Sequence, residues 1–94
     1  MYTSMRYYMG NTELVDALVA NEDDVRRIIS EIEGFKAYYL VRSEQGDAIS
    51  ISVYEDQSGA ERSNEAAADW VKENLPDMEI KPPNIAAGEV ALSF

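Results

Sequence analysis

The most regular pattern along the chain is the alternation of aliphatic and hydroxyl-bearing residues over Ala48–Tyr54. Successive side chains of a β-strand point to opposite faces, so this stretch is predicted to be a strand with two unlike faces. One face carries Ile49, Ile51 and Val53, and the other carries Ser50, Ser52 and Tyr54. Phe35–Arg42 is rich in aromatic and β-branched residues, and the polar residues 43–47 after it include a glycine. Together these stretches predict a β-hairpin.

A first helix is predicted between Thr12, as its N-cap, and Gly34, as the residue just past its C-terminus. Its aliphatic residues recur every three or four positions and are Leu14, Leu18, Val25, Ile28 and Ile32. Asn21 interrupts this stripe, and the three acidic residues after it are typical of a new helix start. We therefore predict one helix with a disturbance near Asn21, with two separate helices as the alternative.

A second helix is predicted from about Gln57 to Leu75, with Asp56 as its N-cap and Pro76 marking its end. Its inward-facing stripe is Ala60, Asn64, Ala67, Val71 and Leu75. Small residues dominate this stripe, so we expect the helix to lie close against a sheet.

Strands are also predicted at both ends of the chain. Residues 2–9 alternate, with Met5, Tyr7 and Met9 on one face and Ser4, Arg6 and Tyr8 on the other. Residues 78–87 contain two prolines and are predicted to be an extended connection, and residues 88–94 a last strand with Val90, Leu92 and Phe94 on one face. The order strand, helix, strand, strand, helix, strand is the ferredoxin-like βαββαβ arrangement. This is an α+β fold in a single domain over residues 1–94.

Two helices cover only one face of a four-stranded antiparallel sheet. We expect the aliphatic sets, such as Ile49, Ile51 and Val53, to face the helices. The other set is expected to line the open face and consists of Arg6, Tyr8, Ser50, Ser52, Tyr54 and Ser93. In a chain of 94 residues, an open face bearing tyrosines is most economically covered by a second copy, so a homodimer is predicted.

Composition limits the available chemistry. The chain has no cysteine and no histidine, which removes disulfides, thiol chemistry and Cys/His zinc sites. Two carboxylate pairs, Asp23–Asp24 and Glu55–Asp56, stand where helix starts attract acids and are interpreted as capping residues rather than metal ligands. No glycine-rich phosphate or dinucleotide motif is present. No metal site and no cofactor are therefore predicted.

The net charge is −10, and the acidic residues are spread along the whole chain. Such a surface repels phosphate backbones and anionic membranes, so neither nucleic acid nor membrane is a predicted partner. No stretch has the pattern of a membrane span or a signal peptide, and a cytoplasmic location is predicted. A halophilic source and an ordinary acidic domain both account for the charge.

Several short runs resemble small proteins of the dimeric α/β-barrel superfamily, and most of all its antibiotic-biosynthesis-monooxygenase-like branch. They are Gly34-Phe35, Tyr38-Tyr39, Val53-Tyr54-Glu55-Asp56, Gly59-Ala60-Glu61 and Ala66-Ala67-Ala68-Asp69-Trp70-Val71. The resemblance implies two ferredoxin-like protomers that join their open sheet faces into a shared barrel. It also implies cofactor-independent oxidation of an aromatic substrate by asparagine, tryptophan and arginine. The histidine of haem-degrading relatives is missing from this chain.

Asn64 is the candidate catalytic residue, because an amide within an apolar stripe needs hydrogen-bond partners and could hold a ligand carbonyl. The alternative is an asparagine satisfied by nearby backbone. Arg6 could bind an anionic or phenolate ligand, or form a salt bridge with a carboxylate. The other candidates for lining a cavity or a dimer face are Tyr8, Tyr38, Ser50, Ser52, Tyr54 and Trp70. For these tyrosines the alternative is interface packing, and for Trp70 it is packing within the protomer.

Two functions remain open at this point. One is the binding or oxidation of a small aromatic ligand in the barrel cavity, and the other is a non-catalytic homodimeric module with a structural or regulatory role. A cavity lined by Arg6, Asn64 and the tyrosines would favour the first.

Overall fold

The computed structural model describes all residues from 1 to 94. The strands are β1 (Tyr2–Tyr8), β2 (Phe35–Arg42), β3 (Ala48–Tyr54) and β4 (Asn84–Glu89), and the helices are α1 (Leu14–Ala20), α2 (Glu22–Ser30) and α3 (Gln57–Asn74). The strands form one antiparallel sheet in the order β2-β3-β1-β4, and the helices pack on one of its faces. This confirms the predicted ferredoxin-like α+β fold. None of the helices combines the length and the apolar character that crossing a membrane requires.

The hairpin of β2 and β3 forms as predicted, with Tyr39 opposite Ile51 in the register. Its turn is closed by two backbone hydrogen bonds, from Ser43 N–H to Asp47 O and from Gly46 N–H to Ser43 O, each 2.9 Å long. Gly46 has a φ of 91°, in the left-handed region that favours glycine. The glycine in the polar segment therefore fixes the tight turn that sets the register of the two strands.

The first predicted helix is broken at Asn21 into α1 and α2. Asn21 has φ −111° and ψ 29°, and its side-chain amide donates to the carbonyl of Ala17 at 2.8 Å. Its own carbonyl accepts from Val25 N–H at 3.0 Å and so begins α2. The asparagine thus satisfies the end of one helix and the start of the next, and the alternative of two helices describes the structure.

Both predicted caps of this helix are wrong. α1 begins at Leu14 after Glu13, so Thr12 is not an N-cap. α2 ends at Ser30, four residues before Gly34, which adopts a φ of 86° immediately before β2. The carbonyl of Gly34 accepts from Glu55 N–H at 2.8 Å, so this glycine turns the chain into the sheet rather than ending the helix.

The start of α3 follows the prediction. Asp56 has an extended backbone, and its Oδ1 accepts from Gly59 N–H at 3.1 Å and from Ser58 Oγ at 2.9 Å. One turn into the helix, Gly59 lies against the ring of Tyr54, and a Cβ at this position would be 2.9 Å from Tyr54 Cβ. The absence of a side chain at Gly59 lets the helix approach the end of β3.

The last strand occupies a different position from the one predicted. β4 covers Asn84–Glu89 and pairs with β1 from Tyr7 to Tyr2, whereas residues 88–94 were the predicted strand. β4 ends where β1 begins: Glu89 pairs with Tyr2, and the Val90 N–H bonds to the carbonyl of Met1, the residue before β1. The residues beyond it, including Leu92, Ser93 and Phe94, lie outside the sheet and are exposed.

The two faces of the sheet are exchanged relative to the prediction. The covered face carries Ser4, Arg6, Tyr8, Ser50, Ser52 and Tyr54, all of which are buried. The aliphatic residues Ile49, Ile51 and Val53 lie on the face without helices and are only half-buried. A row of short serines leaves room for α3 to come close to the sheet and for the long Arg6 side chain to lie between them. The apolar part of the core surrounds this polar centre and includes Leu14, Leu18, Ile29 and Trp70.

Candidate functional site

The centre of the site is the guanidinium of Arg6, which projects from the middle of the central strand β1 and is only 1% exposed. Its Nη1 donates to Asn64 Oδ1 at 2.7 Å and to Ser63 Oγ at 3.3 Å, both on α3. Its Nη2 donates to Ser50 Oγ at 2.8 Å and to Ser52 Oγ at 3.0 Å, both on β3. Arg6 therefore joins the helix layer to the sheet layer inside the protein.

Further bonds extend this network at both ends. Ser4 Oγ donates to Asn64 Oδ1 at 2.7 Å, so the amide oxygen of Asn64 accepts from two groups. The Tyr38 hydroxyl is 2.8 Å from Ser50 Oγ, and the Tyr54 hydroxyl donates to the carbonyl of Ile29 at 2.6 Å. We call the six residues Ser4, Arg6, Ser50, Ser52, Ser63 and Asn64 the arginine cluster.

The arginine cluster contains no carboxylate, and Arg6 forms no ion pair. The four ion pairs of the chain are all partly exposed and join Arg26 to Glu22, Arg27 to Asp24, Lys36 to Glu55 and Arg42 to Asp16. Arg6 Nε is also buried and has no hydrogen-bond partner. The alternative of a salt bridge at Arg6 is therefore not realised, and within the chain only neutral hydrogen-bond acceptors surround its charge.

Tyr8 and Tyr54 lie beside Arg6 as neutral phenols. Burial raises the pKa of Tyr54 to about 12, although the nearby positive charge of Arg6 opposes this rise. Burial likewise raises the pKa of Tyr8, again against the charge of Arg6. At neutral pH neither hydroxyl ionises, so neither tyrosine neutralises the guanidinium.

An outer cavity of about 500 Å³ lies between the helix pair α1–α2 and the edge strand β2. Its walls are mainly apolar and include Leu18, Val25, Ile29, Phe35, Tyr38 and Leu40. Ligand sites in proteins commonly have volumes of about 300–1,000 Å³ and mostly apolar walls with a few polar groups. The outer cavity has the size and lining of such a site.

A much smaller inner cavity, of about 20 Å³, lies deeper in the protein. It shares four wall residues with the outer cavity, namely Leu18, Val25, Ile29 and Tyr38. Its remaining walls include Arg6, Tyr8, Ser50 and Trp70. A mainly apolar outer cavity therefore adjoins a much smaller inner one, which is also mainly apolar and has the buried Arg6 among its wall residues.

Trp70 is 5% exposed and forms part of the wall of the inner cavity. Its Nε1 donates to Asp24 Oδ2 at 3.3 Å, which ties α3 to α2. Hydrogen bonds from Arg27 and from Trp70 hold the pKa of Asp24 below its ordinary value. Asn64, six residues earlier on α3, turns to the arginine cluster and does not line either cavity. The two residues therefore point in different directions from one helix.

The structure brings most of the candidate residues together but on the opposite side of the sheet from the one predicted. The inner cavity is lined by five of them, namely Arg6, Tyr8, Tyr38, Ser50 and Trp70. Two others, Ser52 and Asn64, accept hydrogen bonds from Arg6 and do not line the cavity. Assigning Arg6, Tyr8, Ser50, Ser52 and Tyr54 to a dimer face is wrong, because the helices cover them. No group of three or more acidic, cysteine or histidine residues is arranged to hold a metal ion.

Two members of the arginine cluster and one wall of the outer cavity were missed from the sequence. Ser4 shares a strand face with Arg6, so its position two residues away was an available signal. Ser63 lies beside Asn64 on α3 and donates to the carbonyl of Ala60 at 2.6 Å. The cavity wall from α1 and α2 carries no sequence signal beyond ordinary helical periodicity.

No protein-family model matches the sequence, and no curated protein matches it. Solved structures do share the fold. One is a mutant of MhuD with two manganese protoporphyrin IX molecules bound per active site. It matches with a TM-score of 0.75 and 12% identity, over 100% of this chain and 98% of that one. A dimeric ferredoxin-like protein from an uncultured marine organism has a TM-score of 0.66 and 15% identity over 99% and 95% of the two chains.

SnoaB, a cofactor-independent oxygenase from Streptomyces nogalater, matches with a TM-score of 0.59 and 12% identity over 98% of this chain and 92% of its own. These likenesses extend over nearly whole chains, while the identities are low. They show that this chain shares its fold with these proteins.

Proposed function

We propose that this protein binds a small aromatic ligand in the outer cavity, between its helices and its sheet. The observation that carries the proposal is a cavity of ligand size that lies next to the buried Arg6. The outer cavity of about 500 Å³ has mainly apolar walls, and the inner cavity beside it has Arg6 in its wall. Apolar walls with a few fixed polar groups are the usual composition of small-molecule sites.

Binding is tested by isothermal titration calorimetry with three aromatic probes, naphthoate, naphthamide and para-nitrophenol. Trp70 is the single tryptophan of the chain and lines the inner cavity, so its emission gives a second signal. Saturable binding of at least one probe, at one molecule per chain, is expected. Absence of binding by all three up to their solubility limits would overturn the proposal.

A cavity-filling variant locates the bound probe. Leu40→Phe places a larger side chain in the wall of the outer cavity and is expected to weaken probe binding at least about tenfold, because the ring takes up space that the bound probe would fill. Leu92→Phe makes the same change in the exposed C-terminal segment and should leave binding unchanged. Equal affinity of the two variants would place the ligand elsewhere.

Oxidation of the bound ligand is the second part of this proposal, supported by the shared fold with SnoaB, a cofactor-independent oxygenase. Asn64 would contribute as a positioning residue, since it holds Arg6 and does not line the cavities. Oxygen uptake and mass spectrometry of the recovered probe measure turnover. For Asn64→Ala we expect slower turnover with probe affinity retained, and loss of both together would contradict this role.

A resident haem does not fit the residues of this site. Haem iron in proteins is held by histidine, cysteine, methionine or tyrosine. The chain has no histidine and no cysteine, and no methionine lines either cavity. Tyr38, the tyrosine in the outer cavity wall, is hydrogen-bonded to Ser50. The proposed ligand is therefore a free aromatic compound.

The protein is also proposed to be a homodimer that pairs through its open sheet face. Ile49, Ile51 and Val53 lie there without a covering helix, and Tyr39 and Val41 of β2 are exposed beside them. A row of apolar side chains on an uncovered sheet is normally hidden by a partner. The marine protein with the same fold is described as dimeric.

A non-catalytic homodimeric module is the second candidate function. The observation in its favour is that both terminal nitrogens of Arg6 are already bonded within the chain, as in a purely structural network. In that case the dimer forms but none of the probes binds, which is the outcome that overturns the first proposal.

A further inference from the structure

We propose that the ligand carries an anionic oxygen, a carboxylate or a phenolate, which binds to Arg6 in the inner cavity. This inference rests on the proposed function, because it names the chemical class of the ligand in the same site. The observation behind it is that the guanidinium of Arg6 is buried and has no counter-charge within the chain.

The charge of Arg6 is permanent, since an arginine side chain does not deprotonate in a protein. Removing such a charge from water is strongly unfavourable unless it is paired, and a protein with eighteen acidic residues has ample means of pairing it. None of those carboxylates is within ion-pair distance of Arg6. The structure therefore maintains a buried positive charge and keeps its own anions on the surface.

The four bonds of the terminal nitrogens orient the guanidinium without neutralising it. Ser63 and Asn64 hold it from α3, and Ser50 and Ser52 hold it from β3. The fifth donor, Nε–H, is fully buried and has no acceptor in the chain. A donor on a cation is a strong site for an anionic oxygen, because charge-assisted hydrogen bonds exceed neutral ones in strength.

The sizes of the two cavities indicate which part of the ligand each can hold. The inner cavity, at about 20 Å³, has space for a water-sized group and none for an aromatic ring. The outer cavity has space for a ring system, and Tyr38 forms part of both walls. A ring in the outer cavity would direct an oxygen substituent past Tyr38 towards Arg6.

The experiment compares ligands that share a ring and differ in charge. Naphthoate and naphthamide have nearly the same shape, and only naphthoate is anionic. Naphthoate is expected to bind at least about tenfold more tightly, since hydrogen bonds to charged groups are the stronger class. The affinity for para-nitrophenol should rise with pH as this probe ionises, and comparison of the two anions then separates carboxylate from phenolate.

Arg6→Gln removes the charge and retains hydrogen-bonding capacity. In this variant naphthoate should lose its advantage, so that the ratio of the affinities for naphthoate and naphthamide falls to about one. Circular dichroism checks that the variant is folded, and if it is not, the wild-type comparison decides alone.

The possible failures are distinguishable. If naphthamide binds as tightly as naphthoate to the wild type and para-nitrophenol shows no rise with pH, the anionic ligand is refuted and the aromatic site stands. If no probe binds, the proposed function fails and the inference fails with it.

Discussion

At the scale of single residues, the most constrained positions are those where α3 meets the sheet. Arg6 is held by four side chains from two different elements, and Tyr54 is fully buried between Gly59 and the carbonyl of Ile29. Both residues combine a long side chain with neighbours that have little or no side chain of their own. Small residues in this protein are therefore as important to the packing as large ones.

Gly59→Ala is expected to destabilise the protein by up to about 2 kcal/mol. Alanine is the better helix former by about 1 kcal/mol, but overpacking a close contact costs about 1–3 kcal/mol. The added Cβ would meet Cβ, Cγ and Cδ1 of Tyr54, each at 2.9 Å. Gly88→Ala is the matched control, because a Cβ there meets nothing within 4 Å. Urea unfolding measures both, and a Gly59→Ala variant more stable than the wild type by about 1 kcal/mol, as helix propensity alone predicts, would disprove the contact.

The raised pKa of Tyr54 gives the protein an alkaline limit. In the unfolded chain the hydroxyl of Tyr54 has the ordinary pKa of 10.0, whereas in the folded protein its pKa is about 12. The contribution to stability is thus full below pH 10 and lost as the pH rises through 12. Circular dichroism should show unfolding in this window, in step with the absorbance of tyrosinate.

Tyr54→Phe should reduce this alkaline sensitivity and lower stability at neutral pH by about 1 kcal/mol, because the bond to the Ile29 carbonyl is lost. An unchanged alkaline midpoint in Tyr54→Phe would assign the effect to another group.

At the scale of elements, the sequence predicts which elements form better than how they end or which side they cover. The hairpin and the Asp56 cap are correct because turn and cap residues act locally, through bonds that span a few positions. The prediction placed the last strand too late in the sequence. A strand needs a partner for its backbone hydrogen bonds, and the pairing with β1 ends near Met1. The alternation of residues 88–94 was real, but alternation alone does not supply a partner.

The exchange of the two sheet faces has a similar cause. Alternation in β3 establishes that Ile51 and Ser52 point to opposite sides, but not which side the helices cover. The rule that apolar residues lie under the helices fails here because Arg6 and Asn64 bond to each other across the two layers. The hydrogen bond between Arg6 and Asn64 joins residues that are 58 positions apart, so no local sequence pattern shows which face the helices cover.

The cap of α3 provides an element-level experiment. Asp56→Ala removes the acceptor of the Gly59 N–H and should lower the melting temperature by several degrees at neutral pH, whereas Asp56→Asn keeps an acceptor and should lower it less. The hydrogen bond from Gly59 holds the pKa of Asp56 below its ordinary 3.8. This stabilisation is present above pH 3.8 and is lost as the pH falls through the lower folded value. The difference between wild type and Asp56→Ala should therefore shrink in acid, and a difference that stayed constant would exclude the carboxylate as its source.

At the scale of the whole molecule, the two sides of the sheet are expected to serve different purposes. The covered side holds the arginine cluster and the cavities, and the open side offers aliphatic residues to a second copy. The candidate site is thus complete within one protomer, since both cavities are formed by a single chain. Pairing and ligand binding can therefore be altered independently.

Ile51→Lys places a charge at the middle of the open face, opposite Met5 and Tyr39 in the register. We expect light scattering to give twice the mass of one chain for the wild type at micromolar concentration, and a single chain mass for this variant, because a buried unpaired charge is strongly unfavourable. Val19→Lys, at an exposed position of α1, is the control and should remain dimeric. A wild-type protein with the mass of one chain would contradict the proposed pairing.

The central position of β1 also determines the order in which the molecule can be assembled during synthesis. β1 is made before its neighbours β3 and β4, which follow about 40 and 80 residues later, so neither partner is present when β1 is made. The guanidinium of Arg6 stays in water during that interval, because Ser50, Ser52, Ser63 and Asn64 have not yet been added to the chain. Burial of this side chain therefore requires both the pairing of β1 with β3 and the packing of α3 over that pair.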